Sequence, residues 1–197
     1  MNPISRFAKL ATEEQIRRAV KALTVNGFKV EVVENGKEAK KTVLRMIPAG
    51  AEVMTMSSVT LETIGLAKEI NESGKYDAVR LKLARDKSLG STPKWAVGSI
   101  QAVTEDGKLL MASNSGSQLP AYVYGAEKVI WVVGAQKIVA NMEEGIKRIY
   151  EYVLPLENER ARKAYGVGSN VSKLLIISKE IRPERMKLIL VKEKLGF

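Results

Sequence analysis

The sequence predicts an α/β fold: three α/β/α layers around a mostly parallel sheet, with one β-hairpin. Three observations lead there. A helical pattern followed by a short strand pattern occurs twice before residue 57, which is the alternation of a helix-covered sheet. "KVIWVVG" is apolar almost throughout, as strands are when both faces of a sheet are covered. A chain of 197 residues, 45% of them hydrophobic, is long enough to bury one sizeable core.

Each element has its own local reason. Thr12 and Gln15 stand at capping-box spacing, and Ile16, Ala19, Val20 and Leu23 then recur at helical intervals until Gly27 stops the helix. Phe28, Val30 and Val32 alternate with Lys29 and Glu31 as a strand does. A second helix carries Ala39, Val43, Leu44 and Ile47 on one side and ends at Pro48 and Gly50, after which "EVMTM" is a buried strand. "SSVTLETIGLAKEI" leaves that strand through hydroxyl residues and starts a helix at once. In "YDAVRLKLARDKSLGSTPKW", Val79, Leu81 and Leu83 alternate as in a strand while the surrounding Lys and Arg suit a solvated element. Strand, helix and loop stay open for 75–95; as a loop over a pocket, it would turn Lys82, Arg85 and Lys87 toward an anion. The hairpin "VGSIQAVTEDGKLLMASNSGS" turns at Asp106 and Gly107, a pair suited to a type I′ turn, with Glu105 and Lys108 facing each other as an opposite-charge pair. Met142, Ile146, Ile149 and Val153 mark a helix closed by Pro155, and a charged arm then leads to the strands "KLLIIS" and "MKLILV".

Composition excludes whole classes of chemistry. With no Cys and no His, there is no thiolate nucleophile, disulfide, iron–sulfur ligation or imidazole general base. No metal site is expected, and any metal would sit among oxygens. The net charge of +10 makes an anionic partner plausible. Its positive residues are spread along the chain without a nucleic-acid motif, so a small anion is favoured over nucleic acid. No run is apolar enough to span a bilayer, and "MNPISRFAKLATEEQIRRAV" has no continuous apolar stretch, so a cytoplasmic protein without membrane contact is expected.

Two stretches carry candidate chemistry. In "MSSVTLETIG", Ser57, Ser58 and Thr60 bring hydroxyls and backbone N–H groups to a strand-to-helix turn, a place where anions bind and where a serine also serves as an ordinary N-cap. The hairpin and its trailing tract Asn114, Ser115, Gly116 and Gln118 can form either a ligand wall or a plain polar loop.

Taken in order, "IPAGAEVMTMSSVTLETIGL", "VGSIQAVTEDGKLLMASNSGSQLPAYVYGAEKVIWVVGAQKIV" and "KLILVKEKLGF" resemble the LUD domain, named for lactate utilisation. The likeness implies a single domain over 1–197, with a helix and strand in 1–36 and the clearest similarity over 37–197. It implies the fold of ribose-5-phosphate isomerase, glucosamine-6-phosphate deaminase and the CoA-transferases, whose ligands lie across loops at strand ends. On that basis the ligand-binding candidates are Ser57, Ser58, Thr60, Gly98, Gln101, Thr104, Asn114, Ser115, Gly116, Gln118 and Lys137. "TEDG" also resembles the Ser-Glu-Asn-Gly stretch of CoA-transferases, which makes Glu105 the candidate nucleophile. The chain departs from stand-alone LUD proteins at Gln101, where an Asn is common, and at "ENERARKAYGVGSNVSK", where a cysteine-rich segment is common. No metal or redox role is therefore implied for that segment.

The resulting expectation is a protein that binds a carboxylate, a phosphate or a CoA-type compound. It would act as an accessory beside the iron–sulfur subunits of a lactate-oxidising system, and it could form a homo-oligomer. An acyl- or CoA-transfer enzyme using Glu105, with Lys137 or Gln118 orienting carboxylates, is the alternative. A basic interaction protein is a third.

Overall fold

A computed structural model describes residues 6–197. The opening residues 1–5, on which part of the expectation about the chain's start falls, lie outside them. Helix α1 (Glu13–Val25) begins with the predicted capping box: Thr12 Oγ1 accepts from Gln15 N, and the Gln15 side chain accepts from Thr12 N. The helix ends at Gly27 with φ +87°, where a Cβ would lie 2.1 Å from Glu180 O, so glycine answers a close approach of two backbone segments.

Six parallel strands form the main sheet, in the order β1 (Lys29–Val33), β10 (Met186–Val191), β7 (Lys128–Gly134), β4 (Trp95–Gly98), β2 (Glu52–Thr55), β3 (Asp77–Ala78). Alternation sorts their side chains. Val129, Trp131 and Val133 of β7 face one side, and Ile130 and Val132 the other. The latter side is covered by α2 (Gly36–Met46), α3 (Val59–Thr63) and α4 (Leu66–Glu72) through Val43, Leu61, Leu66 and Ile70.

The opposite side carries α1 and a second sheet of four strands, in the order β8 (Ile138–Val139), β5 (Ala102–Thr104), β6 (Leu109–Ser113), β9 (Lys173–Ile177). Its inner residues Val103, Leu109 and Met111 join the main core, whereas Ala102 and Leu110 face a long helical run packed outside. That run comprises α5 (Met142–Arg148), a π-helical segment (Ile149–Val153) and α6 (Leu154–Tyr165). Among the described residues, no helix is long and apolar enough to cross a membrane.

Several local expectations are corrected. Pro155 does not close the helix. It falls in the first turn of α6, directly after the π segment, where a missing N–H is tolerated. The expected hairpin is shorter than its quoted stretch: Val97 and Gly98 end β4 in the main sheet, and the hairpin itself is the antiparallel pair β5 and β6. Its turn is not type I′, because Gly107 has φ +82° but Asp106 does not have positive φ. Three residues, Glu105 to Gly107, make the loop, with Gly107 N bonded to Thr104 O and Thr104 N to Lys108 O. This geometry separates Glu105 from Lys108, which pairs with Asp106 instead. The segment 75–95 resolves into the two-residue β3 and 3₁₀ turns at Val79–Lys82 and Lys87–Gly90.

Candidate functional site

Parallel strands end on one edge, and that edge opens into a cavity of about 330 Å³. Its floor is made by the residues following β2 and β4, where the chain leaves neighbouring strands toward opposite sides of the sheet. Such a switch point favours a crevice at the carboxyl ends of strands. The tract after β6 makes one wall. Helix α6 and the loop 167–171 make the roof.

Lys137 is the central feature. Gly134 ends β7 with no room for a side chain, since a Cβ there would meet Gln136 Oε1 at 2.2 Å and Glu193 O at 2.8 Å. The chain then makes a 3₁₀ turn, Ala135–Lys137, which Gln136 anchors by donating to Leu195 O at 2.8 Å. This turn aims Lys137 along the end of the sheet. The side chain is only 2% exposed, yet it lines the cavity. Its Nζ donates to Thr60 Oγ1 and Ser99 Oγ, each at 3.0 Å. Those two hydroxyls spend their own hydrogens elsewhere, Thr60 on Leu195 O and Ser99 on Val132 O, so both present lone pairs to the lysine.

Among the described residues, no carboxylate lies within ion-pair distance of Lys137. Burial pushes its pKa well below the ordinary 10.5, and the neighbouring Arg148 pushes it further down. Arg148 is itself buried, donates from Nη1 to Gln101 O, and has no hydrogen-bond partner for Nε and Nη2 among the described residues. Burial pushes the arginine pKa down to about 10, so it keeps its charge at neutral pH. In the roof, Arg160 of α6 is held by both oxygens of Glu157 at 2.7 Å.

The candidate residues divide. Ser57, Ser58, Thr60, Gln101, Asn114, Ser115, Gln118 and Lys137 all line the cavity. Ser58 is at the same time the N-cap of α3, accepting from Leu61 N, and Ser57 accepts from Arg80 of the basic segment. Gly98, Thr104, Glu105 and Gly116 are not in the lining. Gly98 lies under Tyr122, whose Oη would be 1.8 Å from a Cβ there. Thr104 is fully buried in the hairpin, where Lys108 N donates to its Oγ1. Gly116, with φ +84°, packs against Lys173.

Glu105 points away from the cavity. Its Oε2 accepts from Arg18 Nε at 2.6 Å and its Oε1 from Gln15 Nε2 at 3.0 Å, which ties the hairpin tip to α1. Burial opposes its ionisation, but the bonds from Arg18 and Gln15 outweigh that and hold the carboxyl below its ordinary range.

Sequence reasoning missed Ser99, Tyr122, Arg160 and the loop 167–171. Only the last had a legible signal, a Gly-Val-Gly-Ser-Asn run after a charged helix. Asn158 Oδ1 holds that loop in place by accepting from Ser169 N. Among the described residues, no group of three or more His, Cys, Asp or Glu side chains is placed to hold a metal ion.

Comparison with known proteins places this architecture. The sequence profile of the LUD domain family matches residues 16–191. No curated protein matches the chain. Among solved structures, a DUF162 family protein from Deinococcus radiodurans is similar over 93% of this chain and 99% of its own, with a TM-score of 0.61 and 13% identity. A D-ribose-5-phosphate isomerase in complex with phospho-erythronic acid is similar over 62% of this chain and 66% of its own, with a TM-score of 0.38 and 16% identity. At 13% identity, the first of these bears on the fold alone.

Proposed function

The chain belongs to the LUD domain family, and from that premise we propose that its strand-end cavity binds a small anionic molecule, a compact carboxylate or phosphate. One observation carries this reading: the buried Lys137 lines the cavity with the buried Arg148 guanidinium behind it as its charged neighbour, and among the described residues neither has a carboxylate partner. Burying a charge is costly unless it is paired, and an anionic ligand would supply the missing counter-charge. The hydroxyl and amide groups of Ser57, Ser58, Asn114 and Gln118 add hydrogen-bonding capacity along the wall.

Size narrows the class. A volume of about 330 Å³ is near the lower end of small-molecule sites. It does not enclose a whole CoA molecule, so the smaller anions fit best. Glu105 is bound to Arg18 outside the lining, and no observation favours a glutamate nucleophile as a second reading. The pathway role that we propose is that of an accessory in the use of lactate or another organic acid. A chain without cysteine would hold the acid while electrons pass through partner subunits.

Thermal unfolding tests this directly. Lactate, glyoxylate, phosphate and ribose 5-phosphate are compared with glycerol and ribose as uncharged controls. A charged member should raise Tm, by the equivalent of about 2.7 kcal/mol at a concentration one hundred times its Kd. Lys137→Met should lose that gain. Equal stabilisation by the uncharged controls would overturn the reading.

A further inference from the structure

The arrangement around Lys137 points beyond holding an anion. We propose that Lys137 is an amine nucleophile that captures the carbonyl carbon of a small anionic oxo compound, an oxo acid or a sugar phosphate in its open-chain form, as an imine. This rests on the reading of the cavity as an anion site and names the substrate class of that site.

Geometry is the first support. A neutral amine has two N–H bonds and one lone pair. Thr60 Oγ1 and Ser99 Oγ, both 3.0 Å from Nζ, are fixed acceptors because their own hydrogens go to Leu195 O and Val132 O. With the two N–H bonds directed at these oxygens, the remaining position on nitrogen has no protein partner among the described residues. Thr60, Ser99 and Lys137 all line the same cavity, so a ligand there reaches the nitrogen.

Electrostatics is the second. A lysine kept for structure is ordinarily paired with a carboxylate when buried this deeply. Here its charged neighbour is Arg148, and desolvation together with a cationic neighbour is how an amine is activated for imine formation. The same arginine supplies the positive field that draws the ligand's acidic group.

The step balances without a further reactant. The Nζ lone pair forms the C–N bond while the carbonyl π pair moves onto oxygen, which takes one hydrogen from nitrogen to give a carbinolamine. The C–O bond then breaks, and the oxygen leaves as water with the second nitrogen hydrogen. The product is a Lys137 imine, which hydrolysis returns to amine and carbonyl.

Reductive trapping is the test. Full-length protein is incubated at neutral pH with glyoxylate or pyruvate and sodium cyanoborohydride, then mapped by peptide mass. Butanal serves as an uncharged carbonyl, and unfolding temperatures with glyoxylate alone are recorded in parallel. Lys137 should be alkylated ahead of the surface lysines by glyoxylate, phosphate should compete, and the label should vanish in Lys137→Arg, which keeps a cationic side chain should Lys137→Met fail to fold. If glyoxylate stabilises the protein but leaves Lys137 unlabelled, the nucleophile is overturned and the anion site stands. Labelling by butanal as readily as by glyoxylate, with no stabilisation by any anion, would overturn the proposed substrate class together with the anion site. Neither label nor stabilisation removes both.

Discussion

Glu105 Oε2 lies 2.6 Å from Arg18 Nε, across 87 positions of sequence, and this contact decides what the hairpin tip does. A three-residue loop turns Glu105 toward α1 rather than toward Lys108 or the cavity. The residue that sequence likeness made the candidate nucleophile is thus set outside the cavity lining. The tip joins two layers of the fold.

Replacement of Glu105 should therefore leave ligand binding intact and weaken the fold modestly. Arg18 is 48% exposed, so Glu105→Gln should cost only about 1 kcal/mol at neutral pH. The carboxyl is held below its ordinary value of 4.5, so its contribution is present above that value and lost as pH falls through the lower folded one. Urea unfolding at neutral pH and at acid pH should show the difference between wild type and variant shrinking in acid.

Lys137 has the opposite pH signature. Its folded pKa lies well below the ordinary 10.5, so between those two values the unfolded chain binds more protons. Wild-type stability should rise with pH in that window relative to Lys137→Met, in which the group is absent. The groups facing the amine are the hydroxyls of Thr60 and Ser99 and the guanidinium of Arg148. Since burial lowers the Arg148 pKa to about 10, denaturant unfolding from neutral pH to well below that value isolates the lysine.

Gly98→Ala should damage the site through packing. Its new methyl would sit 1.8 Å from Tyr122 Oη, and Tyr122 is fully buried edge-on against Trp131 at 5.3 Å. Overpacking of this kind costs about 1–3 kcal/mol. Because Tyr122 lines the cavity, its displacement should also reduce stabilisation by glyoxylate or phosphate, as read by thermal unfolding.

Gly107→Ala should destabilise without touching the cavity. At φ +82° a Cβ would lie 2.7 Å from Ala22 C and 2.8 Å from Leu23 N, both backbone atoms of α1. A loss of about 2 kcal/mol is expected from steric conflict and left-handed strain. Ligand stabilisation measured against the lowered baseline should be unchanged.

Local physics made much of the fold legible. Capping at Thr12, the period of Ile16, Ala19 and Leu23, and the apolar run of β7 each follow from interactions within a few residues. Residues that follow β2, such as Ser58 and Thr60, are identifiable as candidates because a parallel sheet brings its carboxyl ends to one edge, whereas Lys137 is a candidate through the family resemblance alone. The tertiary structure decided direction and partnership. Nothing near Pro155 in sequence announces the π segment that carries the helix past it, and nothing near Glu105 announces Arg18. Nor does any local pattern show that Lys137 lacks a carboxylate among the described residues, since burial and counter-charge are properties of residues such as Thr60, Ser99 and Arg148, which arrive from separate elements. Periodicity fixes which face a side chain takes, but the charge state and reactivity of a buried group depend on the layers that close over it.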